Sequence, residues 1–500
     1  TANSATLAPY LRAGAAPYTG DAIINFIRGC DTATCPDQVG LRDRRLQVPA
    51  GSGTLKVWKL GDPVNSTPSV VSGPKERYDV IYGDASYTAF FQQYRNRRQV
   101  AYVGANDGML HALNVGFYHR SDDPNTTTVT EHGWFTRTAT DNSSGPLLGD
   151  ELWGFIPYQL LPQLQWLARS DYQHVYYVDL KPKVTDVRIF TPDADHPNGW
   201  GTILIGGFRL GGSCGACVAG TGAPPLSVTA DFGSGIQTRY FYTAYFVLDI
   251  TNPEVDPKLL WVFTDAGQGL STSYPAVVRV NPTSDGRTDN TNAKWFMVVG
   301  SGLTGYDGSI AQTAKLYVIN LATGSGGTSN SLVATMPVGT FNSWMGDLIT
   351  LDRDLDYRAD TAYVGRAIND GSLPWRGKMY RLTTSGCSAA PCVTTTWGIA
   401  SGANRVPTEV LDTFPTGFTT EPGPIVTAPA VTVDDANKVW IFFGTGRYYS
   451  AADKISTETQ YFFGVKDSVS NGSCTQSSTT SCQDDDLVNV SAATICTVCT

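Results

Sequence analysis

A unit of short apolar runs recurs along these 500 residues in a constant order, and it restricts the fold more than any other feature. It opens on a Pro-small-Val segment, at Pro68–Val71, Pro275–Val278 and Pro429–Thr432. A run ending in Gly follows, at Val100–Gly104, Trp295–Gly300, Thr361–Gly365 and Val439–Gly444. A third run comes next, at Met109–Asn114, Lys315–Leu321, Lys378–Leu382 and Gln460–Val465. Several units close on a Trp-bearing run, at Leu152–Pro157, Leu260–Asp265 and Thr396–Ala400. A further copy passes through Val184–Phe190, Thr202–Phe208 and Ala244–Ile250. Each run has the length and the β-branched and aromatic content of a strand. Four short antiparallel strands repeated in one order describe propeller blades, whereas a tandem of sandwiches would not keep that order. The expectation is an all-β, quinoprotein-like β-propeller of about seven blades, of which five units are directly visible.

The composition agrees. Charged residues make up 16% of the chain and Gly, Tyr and Thr are plentiful, which suits short strands joined by turns. A net charge of −9 argues against a nucleic-acid partner, and no run is long and apolar enough for a transmembrane segment. One helix is legible before the period changes to 2: Asp21 serves as N-cap, Ile23, Ile24, Phe26 and Ile27 supply an apolar face, and Gly29 ends it. Residues 1–60 therefore read as an N-terminal helix and lead-in, and 61–500 as the propeller. With no initiator Met or leader, the sequence reads as an excised piece of a longer secreted precursor.

Ten cysteines fall into five neighbouring pairs: Cys30/Cys35, Cys214/Cys217, Cys387/Cys392, Cys474/Cys482 and Cys496/Cys499. Pairing by proximity predicts five local disulfides and an oxidising compartment. Zinc or redox chemistry at the two Cys-x-x-Cys pairs is the lesser alternative, since they lie far apart and neither sits in a βαβ unit.

The chemistry-bearing motif is the run from Asp352 to Asp360. Asp352, Asp354, Asp356 and Asp360 stand at i, i+2, i+4 and i+8, and the Arg358 carbonyl is available at i+6. Alternating oxygens in a tight loop suit a hard divalent cation, here calcium. Strand-like flanks, Gly346–Leu351 and Thr361–Gly365, place this loop on a hairpin without EF-hand helices. The Gly of EF-hand position six is Tyr357, and the bidentate Glu of position twelve is Tyr363. The competing reading is a solvated Asp-rich turn, with Arg353 and Arg358 offsetting the charge. Asp285, Asp289 and Asn292 read as a polar hairpin tip, with a second calcium site as the weaker alternative.

Other motifs lack the context that their chemistry needs. Gly300–Gly305 matches a dinucleotide fingerprint, but no helix is expected after it. Gly211–Gly215 matches a nucleophile elbow, but it lies in the Cys214/Cys217 loop. His111 alternates with apolar neighbours and reads as a hydrogen-bonded histidine of the core or rim, so no catalytic residue is expected.

Taken together, Gly61–Val71, Arg98–Asn114, Gly149–Pro157 and Gly444–Asp453 resemble the C-terminal β-propeller of the PilY/PilC family of type IV pilus tip-associated adhesins. The matching blocks run in order from about residue 20 to 467. The resemblance implies a calcium loop at Asp352, Asp354, Asp356, the Arg358 carbonyl and Asp360. It also implies secretion to the cell surface by way of the periplasm and outer membrane, a place at the pilus tip beside minor pilins, and a role in extension, retraction and attachment. The family's N-terminal region, with its von Willebrand A-like part, would be a further partner. No Arg-Gly-Asp is present, so the surface or host receptor stays open. The competing functions are a quinone-dependent propeller dehydrogenase, whose adjacent Cys-Cys pair is missing here, and a structural component of a secreted filament.

Overall fold

The computed structural model describes residues 3–30, 35–124, 126–127, 132–217, 226–281, 293–322, 332–369, 371, 375–384, 396–411 and 422–467. Among these the repeat becomes five successive antiparallel sheets. The first runs Ser69–Val71, Gln99–Gly104, Leu110–His119 and Glu151–Phe155, with Trp134–Thr136 also pairing on the third strand. The second is Lys183–Arg188, Trp200–Gly207, Tyr245–Asp249 and Lys258–Phe263. A single strand, Leu332–Leu351, then serves two sheets. Its first half closes the sheet begun by Ala276–Val280, Lys294–Gly300 and Thr313–Asn320. Its second half opens the sheet continued by Thr361–Ile368, Arg376–Thr383 and Thr408–Leu411. The last sheet is Ala430–Val433, Val439–Gly444 and Phe462–Lys466.

The first strands face a common axial space. A cavity of about 650 Å³ touches Asn65, Lys181, Tyr274, Asp347 and Thr427, which precede or lie within the first strand of each sheet in turn. A second cavity of about 310 Å³ is lined further along by Lys183, Val277, Arg279 and Ile349. This is the radial arrangement of a β-propeller.

The Gly-ended strands acquire a physical reason from this packing. A Cβ on Gly104 would stand 2.2 Å from the Val178 carbonyl oxygen, on Gly300 2.2 Å from Met345 Cβ, and on Gly365 2.3 Å from the Ile425 carbonyl oxygen. Each neighbour leads into or belongs to the next sheet. Only a residue without a side chain permits that approach.

Three sequence expectations are corrected. The N-cap of helix Gly20–Ile27 is Thr19, whose hydroxyl accepts from Ala22 N at 3.2 Å, while Asp21 sits in the first turn. A hydroxyl outside the helix reaches an orphan N–H, which a residue already inside cannot do. The expected C-terminal stop at Gly29 is present, with φ +87°. Thr396–Ala400 is not a fourth strand: Ile399–Ser401 pairs with Asn404–Val406 in a separate hairpin, and Thr408–Leu411 closes the sheet. Trp397 instead fills the core against Phe296, with ring centroids 5.4 Å apart. Helices also extend beyond the lead-in. Leu161–Ala168 packs Leu164 and Leu167 into one apolar cluster with Ile23, Phe26 and Ile27 of Gly20–Ile27. Ala85–Tyr94, inserted between the first two strands of the first sheet, is capped by Asp84 and buries Tyr87, Phe90 and Tyr94.

Two of the expected disulfides, Cys30–Cys35 and Cys214–Cys217, are formed. The latter removes that Cys-x-x-Cys from zinc chemistry. The other three pairs, and the Asp285, Asp289 and Asn292 alternative, lie outside the described residues. Among the described residues no helix is long and apolar enough to cross a membrane.

Candidate metal centre

Strands Leu332–Leu351 and Thr361–Ile368 pair antiparallel up to Leu351 opposite Thr361, and residues 352–360 form the loop between them. Backbone N–H groups organise its carboxylates. Asp352 accepts from Asp356 N at 3.1 Å through Oδ1 and from Tyr357 N at 2.9 Å through Oδ2. Asp354 Oδ1 accepts from Asp356 N at 3.2 Å, and Asp356 Oδ1 from Arg358 N at 2.9 Å. Asp side chains close such local turns readily. The result brings one oxygen each of Asp352, Asp354 and Asp356 within 4.8 Å of one another.

Asp360 stands apart from that trio. Its Oδ2 accepts from Arg353 N at 2.8 Å and ties the end of the loop to its beginning. The Arg358 guanidinium pairs with Asp356. Burial, reinforced by the Asp356 and Asp360 charges, pushes the Asp352 carboxyl up to about 6, against hydrogen bonds from Tyr82 and Tyr357 N that pull it down. Burial also raises Asp360. Carboxylates crowded and half-buried in this way favour a cation among them. The all-oxygen donor set is that of a hard cation such as calcium.

Tyr357 is the residue that the spacing argument missed. It adopts the left-handed conformation of EF-hand position six, with φ +73°, although it is not glycine. That conformation costs an L-residue about 1–2 kcal/mol. Burial of a large aromatic ring returns about 1.5–3 kcal/mol, so burial prevails. Here the ring is 3% exposed, and the Arg279 guanidinium lies over its face at 3.5 Å. Arg279 also donates to the Tyr357 carbonyl. The Tyr357 hydroxyl donates to Asp84 Oδ2 at 3.1 Å, at the cap of helix Ala85–Tyr94. An aromatic residue interrupting an acidic run was the available signal. Asp352 and Tyr357 both line the 310 Å³ axial cavity. Tyr363, at position twelve, points into the core and donates to Asp467 Oδ2 at 2.6 Å.

The remaining candidates are structural. His111 is held between Glu151 Oε1, 2.6 Å from Nδ1, and Asp107 Oδ2, 2.9 Å from Nε2. Ser213 is 1% exposed and accepts from Leu226 N at 3.0 Å. The segment after Gly300 runs through turns into strand Thr313–Asn320, with no helix.

Comparison with known proteins supplies the family context. Residues 60–494 match the family described as PilY1 beta-propeller domain. A type IV pilus biogenesis factor PilY1 homolog of Xylella fastidiosa is 28% identical over 437 residues, covering 85% of this chain and 26% of the relative. The type IV pilus biogenesis factor PilY1 of Pseudomonas aeruginosa PAO1 is 27% identical over 433 residues, covering 83% of this chain and 29% of the relative. The chain thus spans little more than a quarter of the length of these curated relatives. The crystal structure of the Pseudomonas aeruginosa PilY1 C-terminal domain aligns with 80% of this chain and 64% of its own, at 21% identity and a TM-score of 0.49.

Proposed function

This chain belongs to the PilY1 β-propeller domain family, and on that footing we propose that it is the calcium-binding propeller of a type IV pilus biogenesis factor. Its role is non-catalytic: it supports pilus assembly, control of extension and retraction, and surface attachment. The named function of its curated relatives supports the pilus part of this reading. The calcium part rests on the loop, where the Asp352, Asp354 and Asp356 oxygens converge within 4.8 Å. Asp360 and the Arg358 carbonyl complete the proposed ligand set, and Arg358 would release Asp356 to the ion.

In this reading residues 1–60 lead into the propeller and 61–500 form it. Its partners are minor pilins, the N-terminal part of the same protein, and a surface or host receptor. Its place is extracellular, at the pilus tip. Ion binding alters the order of the loop, and that change reaches helix Ala85–Tyr94 through Tyr357.

The test titrates calcium into chelator-treated protein by calorimetry, for wild type and for Asp354→Ala with Asp360→Ala. A saturable heat in the first and none in the second supports the site; equal binding refutes it. The same pair of substitutions in the parent organism should alter piliation or twitching while the protein is still exported. Unchanged pili would reduce the ion to a structural staple, and a bound quinone with dehydrogenase turnover would favour an enzyme.

A further inference from the structure

A second charged site, sharing no residue with the acidic loop, lies where the lead-in meets the N-terminal helix. Residues 42–45 read Arg-Asp-Arg-Arg and lead into strand Arg45–Gln47. Asp43 and Arg45 pair with each other, with Arg45 Nη2 2.8 Å from Asp43 Oδ2. Arg42 and Arg44 line a cavity of about 230 Å³ together with Phe26, Gln38, Val57 and that Asp43–Arg45 pair. The Arg42 guanidinium lies 4.1 Å from the Tyr172 ring centroid, and that of Arg44 3.9 Å from the Phe26 centroid.

The carboxylate in the lining of this cavity, that of Asp43, is already engaged by Arg45. Among the described residues neither Arg42 nor Arg44 has an ion pair, and the Nε of each is buried without a hydrogen-bond partner. Arg44 donates to the Phe26 carbonyl near the end of helix Gly20–Ile27, which satisfies one of its N–H groups. Among the described residues the Arg42 guanidinium meets the rings of Phe26 and Tyr172 and has no side-chain hydrogen bond. Burial, and then the charge of Arg42, pulls Arg44 down to about 10 against the opposing charge of Asp107, and burial lowers Arg42 as well. Two half-buried cations side by side are unfavourable unless a negative group joins them, and planar guanidinium forks match carboxylate and phosphate oxygens.

We propose that the cavity between Arg42 and Arg44 binds an oxyanion, the carboxylate or phosphate group of a ligand, through their free N–H groups. Aromatic walls hold both forks in place before the ligand arrives, which limits the entropy lost on binding. The proposal is independent of calcium at the acidic loop.

Calorimetry on the whole chain, with chloride at matched ionic strength as control, compares two probes: inorganic phosphate and a short Asp/Glu-rich peptide. A saturable heat for either probe, weakened at least about tenfold by Arg42→Gln, establishes the site. Phosphate alone identifies a small-anion source, and the peptide alone an acidic protein segment. Arg42 is the test position because Arg44 also anchors the helix end. If Arg42→Gln fails to fold, Arg42→Lys, which keeps the charge without the fork, takes its place with the same tenfold criterion. No heat above the chloride control for either probe, or equal binding by the variant, overturns the proposal.

Discussion

Tyr357 lies flat on Tyr82, with ring centroids 4.2 Å apart and 13° between the planes. The first belongs to the acidic loop and the second directly follows helix Tyr78–Ile81 of the insertion in the first sheet. The stack therefore joins the candidate metal centre to a distant part of the chain, across the axial cavity.

Replacing the ring should be costly. Tyr357→Ala is expected to destabilise by about 3–4 kcal/mol, and Tyr357→Phe, which loses the bond to Asp84, by about 1 kcal/mol. Tyr357→Gly should recover about 1 kcal/mol relative to Ala because of the left-handed backbone. Urea denaturation of the three variants gives the order; an alanine variant within 1 kcal/mol of wild type contradicts the anchoring role.

Chelation should lower the thermal midpoint of the wild-type protein, and added calcium should restore it. In Asp352→Asn the calcium-dependent difference should shrink, since Asp352 loses a charged oxygen from the trio. Differential scanning calorimetry with and without chelator decides this, and a midpoint indifferent to calcium in wild type argues against occupancy.

The His111 site sets an alkaline limit. Burial pulls the imidazolium down, but hydrogen bonds and charge from Asp107 and Glu151 outweigh it and push His111 up to about 9. A folded value above the unfolded value of about 6.5 means that this stabilisation is complete below about 6.5 and disappears as pH rises through about 9. It is worth on the order of 3 kcal/mol. His111→Gln should flatten the stability profile between pH 6 and 10, and an equally steep profile would remove His111 as the cause.

The strand-ending glycines should differ among themselves. Gly104→Ala and Gly365→Ala force a methyl against backbone carbonyls at 2.2 and 2.3 Å and should destabilise by about 2 kcal/mol or more. Gly444→Ala has its nearest neighbour at 3.9 Å and should be tolerated. Equal effects at all three would show that sheet-to-sheet approach is not their purpose.

Most of the sheet order was legible because the repeat is written in side chains that recur from sheet to sheet: Pro before several inner strands, Gly where the next sheet closes in, apolar runs between. The acidic hairpin was legible for a similar reason, since ligand spacing is local. Helix Ala85–Tyr94 was not, because Tyr, Thr and Phe also favour strands, although Tyr87, Phe90 and Tyr94 fall on one helical face behind Asp84. The role of Tyr357 depends on Tyr82, Asp84 and Arg279, which no local window contains. The Trp397 segment misled because a buried tryptophan marks a core position without specifying a strand.

The strand Leu332–Leu351 leaves no slack between the two sheets that it serves. Elsewhere a loop can unfold and lengthen before a ladder is loaded. Here tension passes straight along one backbone, and separating the sheets means shearing hydrogen bonds on both sides together. Under load, that junction is where the sheets would hold longest, and the loop-linked junctions would yield first.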